Sequence, residues 1–234
     1  SDHTLTPTPL PEGEGMGEGE PRVDFIPGPI TPENELLATL LYAESHKSFR
    51  EILGAVEAMP EKQKQDILET VQKERGPFDN LSREAEVGQY FIFDTLFDYG
   101  AFRDIQSHRL CTQINQSLSM THGYEIPRDL EQAGGLGLFT QTMEITKQAY
   151  QVIAQDFPSE ATYLIPMAFR KRTLFKMNLR ELYHIIEIRT KAGGHFSYRD
   201  LVYEMYQQLK ARHPMLAEHI RAVKMNFQDD FFKR

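Results

Sequence analysis

Gly88-Gln89-Tyr90-Phe91-Ile92-Phe93-Asp94-Thr95-Leu96-Phe97-Asp98-Tyr99 is the stretch on which the fold class turns. Its side chains alternate with a period of two, the period of a strand. Phe91, Phe93 and Phe97 fall on one face, and Asp94 and Asp98 share the other with Tyr90, Ile92 and Leu96. Almost everything around it has the period of a helix. A strand pattern set among helical segments, with further β-compatible runs downstream, predicts an α+β domain: helices packed around a modest, mostly antiparallel sheet.

Upstream, Leu36, Leu37, Leu40, Leu41 and Tyr42 form a helical apolar stripe, with Ile52, Leu53 and Val56 further on. Pro60 resets the chain, and residues 61–75 read as another helix, ended by Gly76-Pro77. Downstream, a short helix is expected over 101–106, then a polar, β-compatible stretch over 109–119. Turn signals follow at His122-Gly123, Pro127 and Gly134-Gly135. Residues 138–157 form an amphipathic helix. Residues 163–177 read as one or two strands carrying the basic triplet Arg170-Lys171-Arg172. Two helices, 178–191 and 198–212, flank Gly193-Gly194. Ser197 followed by Asp200 suggests a capping box for the second, and residues 215–223 suggest a last short helix.

Composition sets the outer bounds. The chain has 234 residues, is 40% hydrophobic and carries a formal net charge of −8. Residues 1–32 hold one base and six acids, so that segment alone is −5 and the rest is −3. It also contains 7 of the 13 prolines and a Gly/Glu low-complexity run, which cannot offset its ordering entropy by burial. It is expected to be a tail or interdomain linker, with residues 23–30 apolar enough to lie against the domain or a partner. The domain proper is expected over 33–234. The charge argues against general nucleic-acid binding. A lone Cys111 excludes an internal disulfide and suits a reducing cytoplasm. Neither a signal peptide nor a membrane-length apolar run is expected.

Few standard chemical motifs are present. The run Gly134-Gly135-Leu136-Gly137 does not follow a strand and suits a helix-entry loop, not a phosphate cradle. No nucleophile-elbow pattern occurs. Glu181-x-x-His184 has the spacing of a di-iron ligand pair, but a bundle site needs two such pairs and two more carboxylates, so no metal is expected. In helix 178–191, Leu179, Leu182, Ile185, Ile186 and Ile188 define an apolar arc. Arg180, His184, Glu187 and Lys191 line the opposite side as a solvated face. Arg189 lies near the centre of the apolar arc. It either snorkels off the helix end or points into a cleft toward a phosphate or carboxylate.

A second polar constellation is Ser107-His108-Arg109, seven residues, then Ser117. Together with Asn178-Leu179-Arg180 opening a helix, Arg189 eleven residues after that Asn, and the Ala161-to-Pro166 segment before the basic strand, it resembles the flavin-dependent thymidylate synthases. That family's signature is Arg-His-Arg, seven residues, Ser. The resemblance runs from about residue 80 to 212.

The resemblance implies a homotetramer with FAD between subunits, dUMP stacked on the flavin, and reductive methylation to dTMP with methylenetetrahydrofolate and NADPH. Cofactor-binding roles are implied for His108, Arg109, Asn178, Arg180 and His184. Ser117 matches the serine that meets the nucleotide phosphate. Arg189 matches the arginine that bridges nucleotide and flavin, a substrate-binding and catalytic position. The protein's task is positioning and electrostatics.

Three of the family's cations are missing: Ser107, Ser119 and Thr162 stand where arginines are usual, and Asn115 replaces a Glu. With a charged hydrogen bond contributing roughly 1.5–3 kcal/mol, losing two weakens nucleotide binding by about 10²- to 10⁴-fold unless Arg103, Arg170 or Arg172 compensates. Two readings follow. One is a divergent enzyme with altered nucleotide binding. The other is a non-catalytic domain serving as interface or half-site partner to an active copy of the same fold.

Overall fold

A computed structural model describes residues 22–26, 31–73 and 75–226. Its sheet has four strands, β1 (Val23–Ile26), β2 (Phe91–Asp98), β3 (Thr112–Asn115) and β4 (Arg170–Met177). They lie in the order β1-β2-β4-β3, and every pairing is antiparallel. The ten α-helices among the described residues are α1 (Pro32–Tyr42), α2 (Phe49–Glu57), α3 (Glu61–Gln72), α4 (Tyr99–Ile105), α5 (Arg128–Gln132), α6 (Leu136–Asp156), α7 (Pro158–Ala161), α8 (Leu179–Arg189), α9 (Phe196–Arg212) and α10 (Pro214–Ala217). The α+β expectation holds.

The alternation of β2 sets the layering. Phe91, Phe93 and Phe97 enter the main core with Phe175 and Met177 of β4, beneath α1, α4, α8 and α9. Thr95 shares this apolar face because its hydroxyl is satisfied by the Thr173 carbonyl at 2.7 Å. Asp98 ends the strand and starts α4. One carboxylate oxygen accepts the Ala101 N–H at 2.8 Å, and the other accepts the Ser197 hydroxyl. Ser197 therefore caps nothing on its own helix. α9 starts at Phe196, and the side chain of its N-cap residue His195 accepts the Ser197 N–H.

Three further segments differ from expectation. Val23–Ile26, counted with the acidic tail though apolar enough to lie against the domain, does lie against it, and does so as an edge strand paired in register with Thr95 to Ile92. Val23 and Phe25 are buried, and the Phe25 ring stacks on Phe93 at 5.1 Å between centroids. The other residues of the expected tail up to 21, and 27–30, lie outside the described residues. Residues 163–169 are not a strand. The carbonyls of Met167 and Phe169 accept N–H groups from the start of α4, and Phe169 turns back onto Pro166. The chain thus joins the sheet only at Arg170. The last helix stops at Ala217, because the following backbone turns to α8. There Arg221 N–H donates to Glu187 and Val223 N–H to Thr190 Oγ1.

A small second core of Met120, Met143, Ile165 and Phe169 lies under α6. Within this 21-residue helix only Met143 is buried. Leu138, Ile145 and Val152 are exposed at successive seven-residue steps, a stripe along one side. Among the described residues no helix is long and apolar enough to cross a membrane.

Candidate functional site

The site is organised by α8. Asn178 caps it, accepting the Glu181 N–H at 2.9 Å. A carboxylate in the first turn suits the helix dipole, but Glu181 does not turn to solvent. It is 5% exposed, and its Oε1 lies 3.1 Å from Nδ1 of His108, which is also buried. His108 reaches this position because the loop leaving α4 closes a turn, His108 N–H donating to the Ile105 carbonyl. The edge of the His108 ring meets His184 at 5.8 Å.

From the other end of the helix, Arg189 approaches the same imidazole. Its Nε donates to His108 Nε2 at 2.9 Å, and its Nη2 donates to the Asp104 carbonyl and to Ser107 Oγ, both at 2.9 Å. Its guanidinium also lies over the Tyr198 ring, 5.4 Å from the centroid. Arg189 therefore spans to the loop after α4 and seals the α4–α8 junction. Among the described residues Nη1 makes no hydrogen bond, which leaves one nitrogen for a ligand acceptor.

The N-terminal half of α8 forms one wall of a cleft of about 290 Å³. Asn178, Arg180, Glu181 and His184 line that wall, with Tyr90 and Leu110 among the residues opposite. Arg180 is tied down: Nε donates to the Leu81 carbonyl at 2.8 Å, and Nη1 pairs with Glu86. The face of α8 expected to be solvated is thus largely engaged. Glu187, too, pairs with Arg75 at 2.6 Å.

Five of the seven residues singled out in sequence, His108, Asn178, Arg180, His184 and Arg189, meet around this helix. Arg109 and Ser117 do not join them through any side-chain bond. Both are exposed, although Arg109 immediately precedes Leu110 in the cleft wall. Glu181, the residue that connects the cluster, was noticed in sequence only as half of a metal-ligand spacing. Among the described residues no three His, Cys, Asp or Glu side chains converge in a way that would hold a metal ion.

The non-family residues are absorbed locally. Thr162 donates to the Ser159 carbonyl, Asn115 Oδ1 accepts from Thr173, and Ser119 Oγ accepts the Thr121 N–H. The basic triplet is engaged as well. Arg170 pairs with Glu125 at 2.9 Å and Arg172 lies 3.6 Å from Asp94. Lys171 donates to the Gln116 carbonyl, and burial pulls its ammonium below the usual lysine range. Arg103 is exposed and touches Met167 Sδ at 3.8 Å. Cys111 is inert: burial pushes its thiol up to about 12.

Comparison with known proteins bears on the family and the fold. A family model described as thymidylate synthase complementing protein matches residues 33–215. A UPF0159 protein of Chlamydia muridarum is 32% identical over 195 residues, covering 83% of this chain and 37% of its own length. A UPF0159 protein of Thermoplasma acidophilum is 29% identical over 196 residues, covering 81% and 38%. The chain thus spans little more than a third of the length of these relatives. Among solved structures, a UMP/dUMP methylase from Streptomyces cacaoi bound with 5-Br dUMP superposes with a TM-score of 0.69. It covers 84% of this chain and 93% of its own at 11% identity, a likeness of fold. Matched by this family model from α1 to α10, the chain belongs to the thymidylate synthase complementing protein family, the flavin-dependent thymidylate synthases.

Proposed function

We propose that this chain is a flavin-dependent thymidylate synthase-like domain that holds part of an FAD at the α8 cleft and a uridine nucleotide beside Arg189. The observation that carries the reading is the Glu181–His108–Arg189 chain, bonded end to end next to the cleft lined by Asn178, Arg180 and His184. Bound FAD supplies hydride transfer, the chemistry protein side chains cannot perform. The chain's own contribution is to hold and orient. Asn178 and His184 offer polar edges to the cofactor, and Nη1 of Arg189 offers a donor to one nucleotide oxygen. The methylene donor methylenetetrahydrofolate and the reductant NADPH belong to the family reaction and enter here on that ground.

The cleft suits one portion of a dinucleotide. Its volume of about 290 Å³ is at the small end for enclosing even a drug-sized ligand, for which roughly 300–1,000 Å³ is usual. Glu86 and Glu181 also line it, and Arg180 in the same lining is already paired with Glu86, so the diphosphate needs further cations, of which exposed Arg109, next to Leu110 of the wall, is one. Both facts favour a site completed by a second copy of the fold. The exposed stripe of Leu138, Ile145 and Val152 on α6 supports such pairing.

The second reading, a non-catalytic half-site partner, is favoured by specific facts. The three positions where the family has arginine are occupied by short side chains, and all three, Ser107, Ser119 and Thr162, are used in local bonds. In each of the two relatives described above the unmatched part is longer than the matched part, leaving room for another copy.

Absorbance of the purified protein with and without FAD tests the cofactor. A flavin spectral shift and a rise in melting temperature are expected, and the absence of both refutes it. Formation of dTMP from dUMP by this chain alone would sink the half-site reading.

A further inference from the structure

We infer that Glu181 is a positioning residue that fixes the tautomer of His108 and thereby aims Arg189. This rests on the proposed nucleotide role of Arg189, but its structural part stands on the geometry alone.

An arginine side chain has donors and no acceptor. Arg189 Nε–H points at His108 Nε2 from 2.9 Å, so Nε2 must be the bare, accepting nitrogen. The ring proton then sits on Nδ1 and donates to Glu181 Oε1, 3.1 Å away. The opposite tautomer would set two N–H groups against each other at Nε2 and a lone pair against a carboxylate at Nδ1. A doubly protonated ring would satisfy Glu181 and expel Arg189. Only the Nδ1–H form satisfies both neighbours.

The carboxylate also polarises the imidazole and so strengthens Nε2 as an acceptor. His108 and Glu181 are both buried, so water is a poor substitute for either partner. The chain leaves α8 in its first turn, passes through the loop after α4 and returns to the last residue of α8. It therefore fixes the guanidinium and also the Ser107–Leu110 loop that forms part of the cleft wall. With Nε and Nη2 committed, Nη1 is the guanidinium nitrogen left without a hydrogen bond among the described residues. None of the family positions noted in the sequence includes Glu181; its role comes from contacts across 73 and 81 residues of chain.

The test uses the full chain with ¹⁵N-labelled histidine and arginine. In the wild type, long-range imidazole spectra should show His108 protonated at Nδ1 and bare at Nε2, with a slowly exchanging Arg189 Nε–H. Glu181→Leu removes the acceptor. It should shift His108 to a tautomer mixture, speed Arg189 Nε–H exchange and weaken dUMP binding roughly tenfold, the value of one charged hydrogen bond. Glu181→Gln keeps an acceptor carbonyl and should restore the tautomer, the slow exchange and dUMP binding to within about threefold. It also serves as the folded comparison if the leucine variant does not fold. An unchanged tautomer and unchanged Arg189 exchange in Glu181→Leu, or loss of both in Glu181→Gln, overturns the inference. A wild type that shows the expected tautomer but binds no dUMP upholds Glu181 as the group that positions Arg189 and refutes the nucleotide reading alone.

Discussion

Ser107→Arg restores the cation the family signature carries at the first of its three positions, and its effect separates two opposing forces. In the present chain Ser107 Oγ accepts from Arg189 Nη2 at 2.9 Å, and its hydroxyl donates to the Asp104 carbonyl at 2.8 Å. The substitution removes one of the three bonds to Arg189, a loss of about 0.5–1.5 kcal/mol. It also brings a second guanidinium within about 5 Å of the first, which costs about 0.8 kcal/mol in water. The site is exposed, so salt reduces that cost further. Stability should fall by about 1–2 kcal/mol, a drop of roughly 3–6 °C in melting temperature for a domain of this size.

Binding moves the other way. A charged hydrogen bond to phosphate contributes about 1.5–3 kcal/mol, less about 0.5–1.5 kcal/mol for ordering the new side chain. The net is about 1 kcal/mol, roughly five- to tenfold tighter dUMP binding. Calorimetric titration at low salt measures it, and most of the gain should vanish at 0.5 M salt as the exposed charges are screened. A folded variant whose dUMP affinity is unchanged at low salt would show that position 107 does not face the nucleotide, and the placing of the nucleotide beside Arg189 would be wrong.

Other predictions follow from the fold. Phe25→Ala should cost about 3 kcal/mol in urea unfolding, because a buried ring stacked on Phe93 leaves a cavity and an aromatic pair is lost; a loss below 1 kcal/mol would mean β1 contributes little. Cys111 should resist a thiol-specific aromatic disulfide reagent at pH 8 and react at once on unfolding. Because its thiol titrates higher in the folded chain than the usual 8.5 or so, the unfolded chain loses its proton first, and stability should decline as pH rises above about 9. Ile145→Lys on α6 should lower the oligomeric mass seen by light scattering if the Leu138–Ile145–Val152 stripe pairs two copies; an unchanged mass from an oligomeric wild type assigns the interface elsewhere.

Most helices and the central strand were legible because periodicity is a local property. Phe91, Phe93 and Phe97 alternate onto one face whatever the rest of the chain does, whereas the capping of α4 by Asp98, which moves its start from 101 to Tyr99, came from the structure. Residues 163–169 misled because an apolar, β-compatible composition says nothing about which backbone groups are already taken. There the α4 N-terminus claims the Met167 and Phe169 carbonyls. Residues 23–26 were legible as apolar enough to lie against the domain, but not as a strand, since four residues among acidic, proline-rich neighbours carry too short a pattern to fix a pairing partner.

By itself the sequence determined the α+β class and the order of segments that marks the family, and through that resemblance it singled out His108, Arg109, Ser117, Asn178, Arg180, His184 and Arg189. It also showed that three expected arginines are absent. Tertiary structure alone decided what those residues touch. Arg189 occupied the apolar arc of its helix with two open directions, and packing of the α4 loop against α8 sent it to His108 and Ser107. Glu181 had the spacing of a metal ligand and became the acceptor for a buried imidazole. Helical spacing places a side chain on a face, but a hydrogen bond also needs the partner brought to 3 Å, and only the packing of distant segments supplies that.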